Sequence, residues 1–129
     1  MAATAAAECL ASFICSYCVT LCLLKMFPTV SVIIPNYNHA PYLRQRIDSV
    51  LKQDYQDFEV ILLDDCSKDD SRQVLDSYRN HPKVSHVVYN EQNTGNTFIQ
   101  WERGVNLAQG RYIWIAESDD VAELSLIHI

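Results

Sequence analysis

From residue 30 onward the chain alternates between short apolar runs and amphipathic stretches. Residues 30–34, 60–63, 84–89 and 112–116 are rich in β-branched and aromatic side chains, and uninterrupted runs of this length predict strands covered on both faces. Pro35 is expected to end the first strand, and residues 36–41, rich in turn formers, to make a loop. A helix is expected from about residue 42 to 52, with Leu43, Ile47, Val50 and Leu51 on one stripe and Arg44, Gln45, Asp48 and Lys52 outside. Pro41 suits its first turn. After the second strand, Asp69, Asp70 or Ser71 is placed to cap a helix that turns Val74, Leu75 and Tyr78 inward. Pro82 breaks the chain before the third strand. Phe98, Trp101, Val105 and Ala108 then repeat as a third stripe, with Gly110 as the residue just past the helix end. Trp101 and Trp114 read as core. Strands alternating with amphipathic helices predict an α/β fold, a mostly parallel sheet with flanking helices that stops after about the fourth strand.

Candidate chemistry gathers where these strands end. Asp64 and Asp65 follow the second apolar run, and Glu117, Ser118, Asp119 and Asp120 follow the fourth. In open α/β sheets ligands bind beyond the carboxyl ends of the strands. Asp119 and Asp120 fit a hard divalent ion, which takes oxygen ligands and shares them with phosphates; capping of a following helix explains either pair as well. By strand alternation Glu117 should point away from Ser118, toward the side of Asp120. Pro35, Asn36, Tyr37 and Asn38 offer amides, a ring and carboxamides suited to a nucleobase, or simply a turn. Asn93, Thr94 and Gly95 either let a phosphate approach or reverse the chain. His39 and Cys66, beside these loops, read as incidental surface residues. No G-x-x-x-x-G-K-[ST], G-x-G-x-x-G or G-x-S-x-G pattern occurs.

Charge and cysteine content divide the chain. Net charge is −6 over 129 residues, and all of it arises after residue 25, because Glu8 and Lys25 cancel. An acidic chain of this kind is not expected to bind nucleic acid. Cys9, Cys15, Cys18 and Cys22 lie in an apolar leader of 27 residues, and Cys66 alone lies beyond it. Cys15 and Cys18 lack a second CxxC or histidine pair, so no zinc site is expected. The leader is short for a spanning helix and has no basic start for a signal peptide. The expected reading is a start at Met26, with a weak membrane anchor as the alternative.

The ordered set Val30-Ser-Val-Ile-Ile-Pro35-Asn-Tyr37-Asn, Ser49-Val-Leu-Lys-Gln53, Phe58-Glu59, Asp64-Asp65-Cys-Ser67, Asn93-Thr-Gly95, Ala108-Gln-Gly110-Arg-Tyr112 and Ser118-Asp119-Asp120 resembles the family 2 inverting glycosyltransferases. The resemblance covers residues 28–122. It implies a Rossmann-like GT-A fold and the nucleotide-sugar-binding half of a metal-dependent transferase, with a UDP-sugar as donor and a glycan or lipid-linked acceptor in polysaccharide biosynthesis. It also implies a cytoplasmic location at the inner face of the membrane, as in bacterial enzymes of this type. On this pattern Pro35 and Tyr37 would lie against the base and Asp65 would accept from its ring N–H. Asn93 and Gly95 would line the donor site, Asp120 would bind Mg²⁺ or Mn²⁺, and Asp119 the ribose or the metal. Cys66 stands where the family often has glycine or another small residue, and Trp101 where many members carry arginine. The family's general base lies in its second half, so these residues are expected to be an inactive donor-binding fragment, with 123–129 a tail outside the pattern and His128 neither base nor ligand. Two other readings stay open: a nucleotide-binding module without transfer, and a receiver-like phosphoacceptor domain, which also sets an acidic pair at a strand end but needs a later lysine.

Overall fold

The computed structural model describes residues 27–118. The leader up to Met26, the Asp119-Asp120 pair and the 121–129 tail lie outside the described residues. Strands β1 (Val30–Asn36), β2 (Phe58–Asp64), β3 (Val84–Tyr89) and β4 (Tyr112–Ile115) alternate with helices α1 (Ala40–Leu51), α2 (Ser71–Tyr78) and α3 (Thr97–Leu107). All pairings are parallel, in the order β3-β2-β1-β4. The chain therefore builds outward from β1 through β2 to β3, then returns through α3 to the opposite side of β1. The α/β expectation holds, and the strand order reverses at β1.

The sheet is sandwiched by two apolar layers because β1 and β2 bury both faces. Val30, Val32, Ile34, Val60 and Leu62 pack with Leu43, Ile47, Val50 and Leu75 from α1 and α2. Ile33, Ile61 and Leu63, of opposite parity, pack with Leu107 and Ala108 at the end of α3. Tyr78 Oη donates to Asp48 Oδ1 at 2.6 Å, which ties α2 to α1; burial, with this bond second, pushes the phenol up to about 12.

Several boundaries differ from the sequence pattern, each for a local reason. β1 does not end before Pro35 but runs to Asn36. Ile33 O accepts from Ala116 N at 2.8 Å, so odd residues of β1 face β4, which ends at Ile115; the N–H that proline lacks would project past that end. α1 starts at Ala40, two residues earlier than expected, because Asp69 Oδ2 accepts from Ala40 N at 3.0 Å. Asp69 also accepts from Ser71 N, while Asp70, at the N-cap of α2, makes no side-chain cap.

The largest departure is the face of α3. Phe98 is 70% and Val105 43% exposed, whereas Gln100 and Gly104 are buried. Trp101 is only partly buried, and Phe98 packs edge-on against it at 5.2 Å. Trp114 is likewise partly buried, against the core. A Cβ on Gly104 would lie 2.5 Å from Ile33 Cγ2, so the missing side chain sets how closely the helix approaches the sheet.

Gly110 is not a left-handed helix terminator either, since α3 ends with Ala108 at the C-cap in extended conformation. Its hydrogen atom faces β1. An added Cβ would sit 2.6 Å from Ser31 N and 2.7 Å from Ser31 Oγ. Here Gly110 N donates to Ser31 Oγ at 2.8 Å, and Ser31 Oγ donates to Glu59 Oε1, which also accepts from Gln109 N. Gly110→Ala is therefore expected to destabilise the fold by about 1–3 kcal/mol, the usual range for overpacking, read as a lowered urea midpoint. An unchanged midpoint would mean that β4 enters the sheet without this contact.

Candidate functional site

The reversal of strand order at β1 leaves a crevice at the carboxyl edge of the sheet, where the loops on either side part. A cavity of about 370 Å³ opens there. Its wall is contributed by every strand end: Pro35 and Asn36 at the end of β1 with Tyr37 and His39 after it, Asp65 after β2, Asn93, Gly95 and Asn96 after β3, and Glu117 and Ser118 after β4. Thr97 and Gln100, from the first turn of α3, complete it.

The two members of the first acidic pair have different environments. Asp64 is fully buried and accepts from Asn36 Nδ2 at 2.9 Å, from Ser67 N at 3.0 Å and from the Ser67 hydroxyl, with Arg72 Nε 3.7 Å away. It braces the turn rather than facing the cavity. Asp65 lines the cavity and accepts from Asn90 Nδ2 at 2.7 Å, Thr94 N at 2.9 Å and Thr94 Oγ1 at 2.8 Å. Burial alone would raise its carboxyl, but these hydrogen bonds, with the charge of Arg103, outweigh it and hold Asp65 below the ordinary aspartate range.

The loops around Asp65 are shaped by left-handed backbone. Gly95 has φ 64°, and Asn38 and Cys66 adopt φ 55° and 61°. Cysteine is strained there where glycine is not, which gives a physical reason for a small residue at this position. Cys66 Sγ also donates to Glu91 O at 3.4 Å, so its surface is in use. Asn93 is recruited on both atoms: Nδ2 donates to Asp65 O at 3.1 Å and Oδ1 accepts from Gly95 N at 2.6 Å.

At the opposite wall the alternation expected for Glu117 fails, because β4 ends at Ile115 and Glu117 and Ser118 both line the cavity. Glu117 Oε1 accepts from Trp101 Nε1 at 3.1 Å. That bond draws Trp101 out of the core it was expected to fill. Nor is His39 incidental: its Nδ1 and Ser118 Oγ share a hydrogen bond of 2.6 Å that closes the cavity between β1 and β4.

Of the residues singled out from sequence, the cavity gathers Pro35, Tyr37, Asp65, Asn93 and Gly95. Asp119 and Asp120 fall outside the described residues, although Ser118, their neighbour, lies in the wall. Among the described residues no group of three or more acidic, histidine or cysteine side chains could hold a metal ion. Sequence reading missed Gln100 and His39. Gln100 gave no signal beyond being a polar residue one step from the apolar stripe, and His39 none beyond its place beside Asn38.

A parallel sheet whose order reverses at its first strand, with a polar cavity over that point, is an α/β fold of the GT-A kind. The chain belongs to glycosyl transferase family 2, whose model matches residues 31–128. It is 41% identical over 93 residues to TuaG of Bacillus subtilis (strain 168), itself assigned only provisionally to teichuronic acid biosynthesis as a glycosyltransferase; the match covers 72% of this chain and 36% of TuaG. The structure of Staphylococcus aureus TarS 1-349 in complex with UDP-GlcNAc superposes with a TM-score of 0.69 at 32% identity, over 74% of this chain and 28% of that one. The mannosyltransferase PcManGT from Pyrobaculum calidifontis, in complex with GDP-Man and Mn²⁺, gives 0.64 at 26% identity, with 74% and 28% covered. The chain thus spans about a third of the length of these proteins or less.

The depressed Asp65 carboxyl sets a pH dependence. A carboxyl whose folded pKa lies below its unfolded value adds stability that is present above the unfolded value, about 3.9, and is lost as pH falls through the folded one. Asp65→Asn is expected to flatten the acid limb of the urea-midpoint profile below about pH 4, because the charge that Thr94, Asn90 and Arg103 stabilise is gone. An acid limb of unchanged slope would locate that stabilisation in other carboxylates.

Proposed function

We propose that this chain forms the donor site of an inverting glycosyltransferase and that its cavity binds a nucleotide sugar, a UDP-sugar in the first instance. The observation that carries this reading is the convergence of Pro35, Tyr37, Asp65, Asn93 and Gly95 on one cavity at the strand-order reversal. These residues come from the end of β1 and from three separate loops. Tyr37, 42% exposed on the wall, offers a face for a base, and buried Pro35 a rigid surface beneath it. Asp65, held ionised, acts only as an acceptor and suits a ring N–H. Asn93 and Gly95, with the first turn of α3 behind them, suit the diphosphate, since helix N-termini favour anions. Relatives solved with UDP-GlcNAc and with GDP-Man support the ligand class.

Asp119 and Asp120 would hold Mg²⁺ or Mn²⁺, in keeping with the Mn²⁺ in the mannosyltransferase complex. The described residues fit that assignment in one respect: Glu117 and Ser118 lead the chain to the cavity wall. When bound, such an ion would supply charge neutralisation of the departing nucleoside diphosphate. In the reaction the acceptor hydroxyl oxygen bonds to the anomeric carbon as that carbon's bond to the diphosphate breaks, inverting the centre. The hydroxyl proton passes to a carboxylate that we place outside residues 27–118, as general base. The acceptor is a glycan or lipid-linked glycan of a cell-surface polysaccharide, met on the cytoplasmic side of the membrane. Among the described residues no helix is long and apolar enough to cross a membrane.

Calorimetric titration of the full-length protein with UDP tests this reading. Binding is expected to require Mn²⁺ and to weaken at least tenfold in Asp120→Ala. Tyr37→Ala is expected to weaken it by about 1–3 kcal/mol, the usual loss of one stacked base. Metal-independent binding would remove Asp120 from the site, and no binding by the folded protein would overturn the donor-site reading altogether.

A further inference from the structure

Gln100 is 97% buried and lines the cavity, and its buried amide nitrogen has no hydrogen-bond partner among the described residues. A buried polar group left in this state costs about 1–3 kcal/mol, so its presence in a binding cavity calls for an explanation. Which end of the amide is free is decided by its neighbours. Arg103 can only donate, and it donates to Asn90 Oδ1. Asn90 must then turn its NH₂ the other way, where it donates to Asp65 Oδ1 at 2.7 Å and to Gln100 Oε1 at 2.9 Å. Reversing Gln100 would set N–H against N–H. The free end is the donor.

That donor stands beside an acceptor. Asp65 Oδ1 is occupied by Asn90 and the Thr94 amide, while Oδ2 accepts from Thr94 Oγ1 and keeps further acceptor capacity. Asp65 Oδ1 and Gln100 Oε1 both accept from the same Asn90 NH₂, so these two oxygens lie within about 5–6 Å of each other, two hydrogen-bond lengths, and the carboxylate and the amide are neighbours in the cavity wall.

We propose that Gln100 selects the nucleobase by donating to the carbonyl oxygen next to the ring N–H that Asp65 accepts. This rests on the donor-site reading above and adds to it the class of base admitted. A fixed acceptor beside a fixed donor complements an edge that presents N–H beside C=O. Uracil has that edge, and guanine shares it. Cytosine and adenine present the opposite pair, a ring nitrogen that accepts beside an amino group that donates. They would set lone pair against carboxylate and N–H against N–H. The cavity therefore admits lactam and imide bases and rejects the amino bases, with Gln100 reading the carbonyl.

The test is calorimetry on the full-length protein with UDP and CDP in the presence of Mn²⁺, for wild type, Gln100→Met and Gln100→Glu. Wild type is expected to bind UDP at least tenfold more tightly than CDP. Gln100→Met, similar in size but without the donor, is expected to lose at least half of that ratio through weaker UDP binding while CDP changes little. Gln100→Glu, with an acceptor in place of the donor, is expected to move the ratio further toward CDP. Equal wild-type affinities, or a UDP to CDP ratio unchanged in Gln100→Met, would overturn the role of Gln100 while leaving nucleotide binding intact. Failure of wild type to bind either nucleotide would instead overturn the donor-site reading, and this inference with it.

Discussion

The architecture of the candidate site depends on one carboxylate that has to be satisfied where it stands. Asp65 follows β2 at the cavity wall, buried, and an ionised group there is tolerated only if donors surround it. Those donors come from separate parts of the chain: Asn90 at the end of β3, and the amide and hydroxyl of Thr94 in the loop before α3. The Asp65 carbonyl adds Asn93. Each bond needed to keep the charge stable therefore fixes a stretch of loop, and the loop between β3 and α3 takes its path from the carboxylate. Asn90 extends the arrangement to Arg103 and Gln100, so the orientation of α3 on the sheet and the polarity of the cavity wall are set together.

A second constraint is the reversal of strand order. With β2 and β4 on either side of β1, the loop after β1 is tied to both sides of the crevice. Its anchors reflect this. Asn36 is tied to Asp64 on the β2 side at 2.9 Å, and His39 to Ser118 on the β4 side at 2.6 Å. Tyr37 lies between the two anchors, exposed but carried by a backbone held at both ends. The proline that looked like a strand terminator is tolerated in the same geometry, because β1 extends past the end of β4 and its missing N–H has no ladder partner to lose.

Sequence made the sheet legible because each strand is an apolar run, although only β1 and β2 are buried on both faces while β3 is half-buried and β4 partly exposed. The residues of the β1, β2 and β3 loops were legible because turn formers and carboxylates at strand ends have few reasons to cluster. The face of α3 was misread for a physical reason. Hydropathy assigns burial to Phe98 and Val105, but Gly104 allows contact with Ile33 that no larger residue permits, and Gln100 is buried by hydrogen bonding rather than by apolar transfer. Periodic patterning has no means of scoring either. Trp101 was misread in the same way, since its indole N–H serves Glu117 and the ring stays at the margin. Glu117 itself was misplaced because strand alternation was carried two residues past the end of β4.

The residues that patterning missed are those through which a ligand would be discriminated rather than merely held. Stacking surfaces and turn glycines tolerate many ligands, and their residue types announce themselves in a sequence. A buried amide held by a relay of neighbours does not, because its direction depends on two side chains, Asn90 just after β3 and Arg103 of α3, and on the carboxylate that aligns them. Asn36 has the same character, with Nδ2 committed to Asp64 and Ser67 and Oδ1 left as a buried acceptor in the wall. Leaving such groups unpartnered costs the unliganded fold about 1–3 kcal/mol each. A ligand that pairs with them returns that cost, whereas a ligand of the wrong polarity adds a repulsion to it. On the proposed reading, discrimination in this cavity would come from the network around Asp65 more than from the number of contacts a ligand can make.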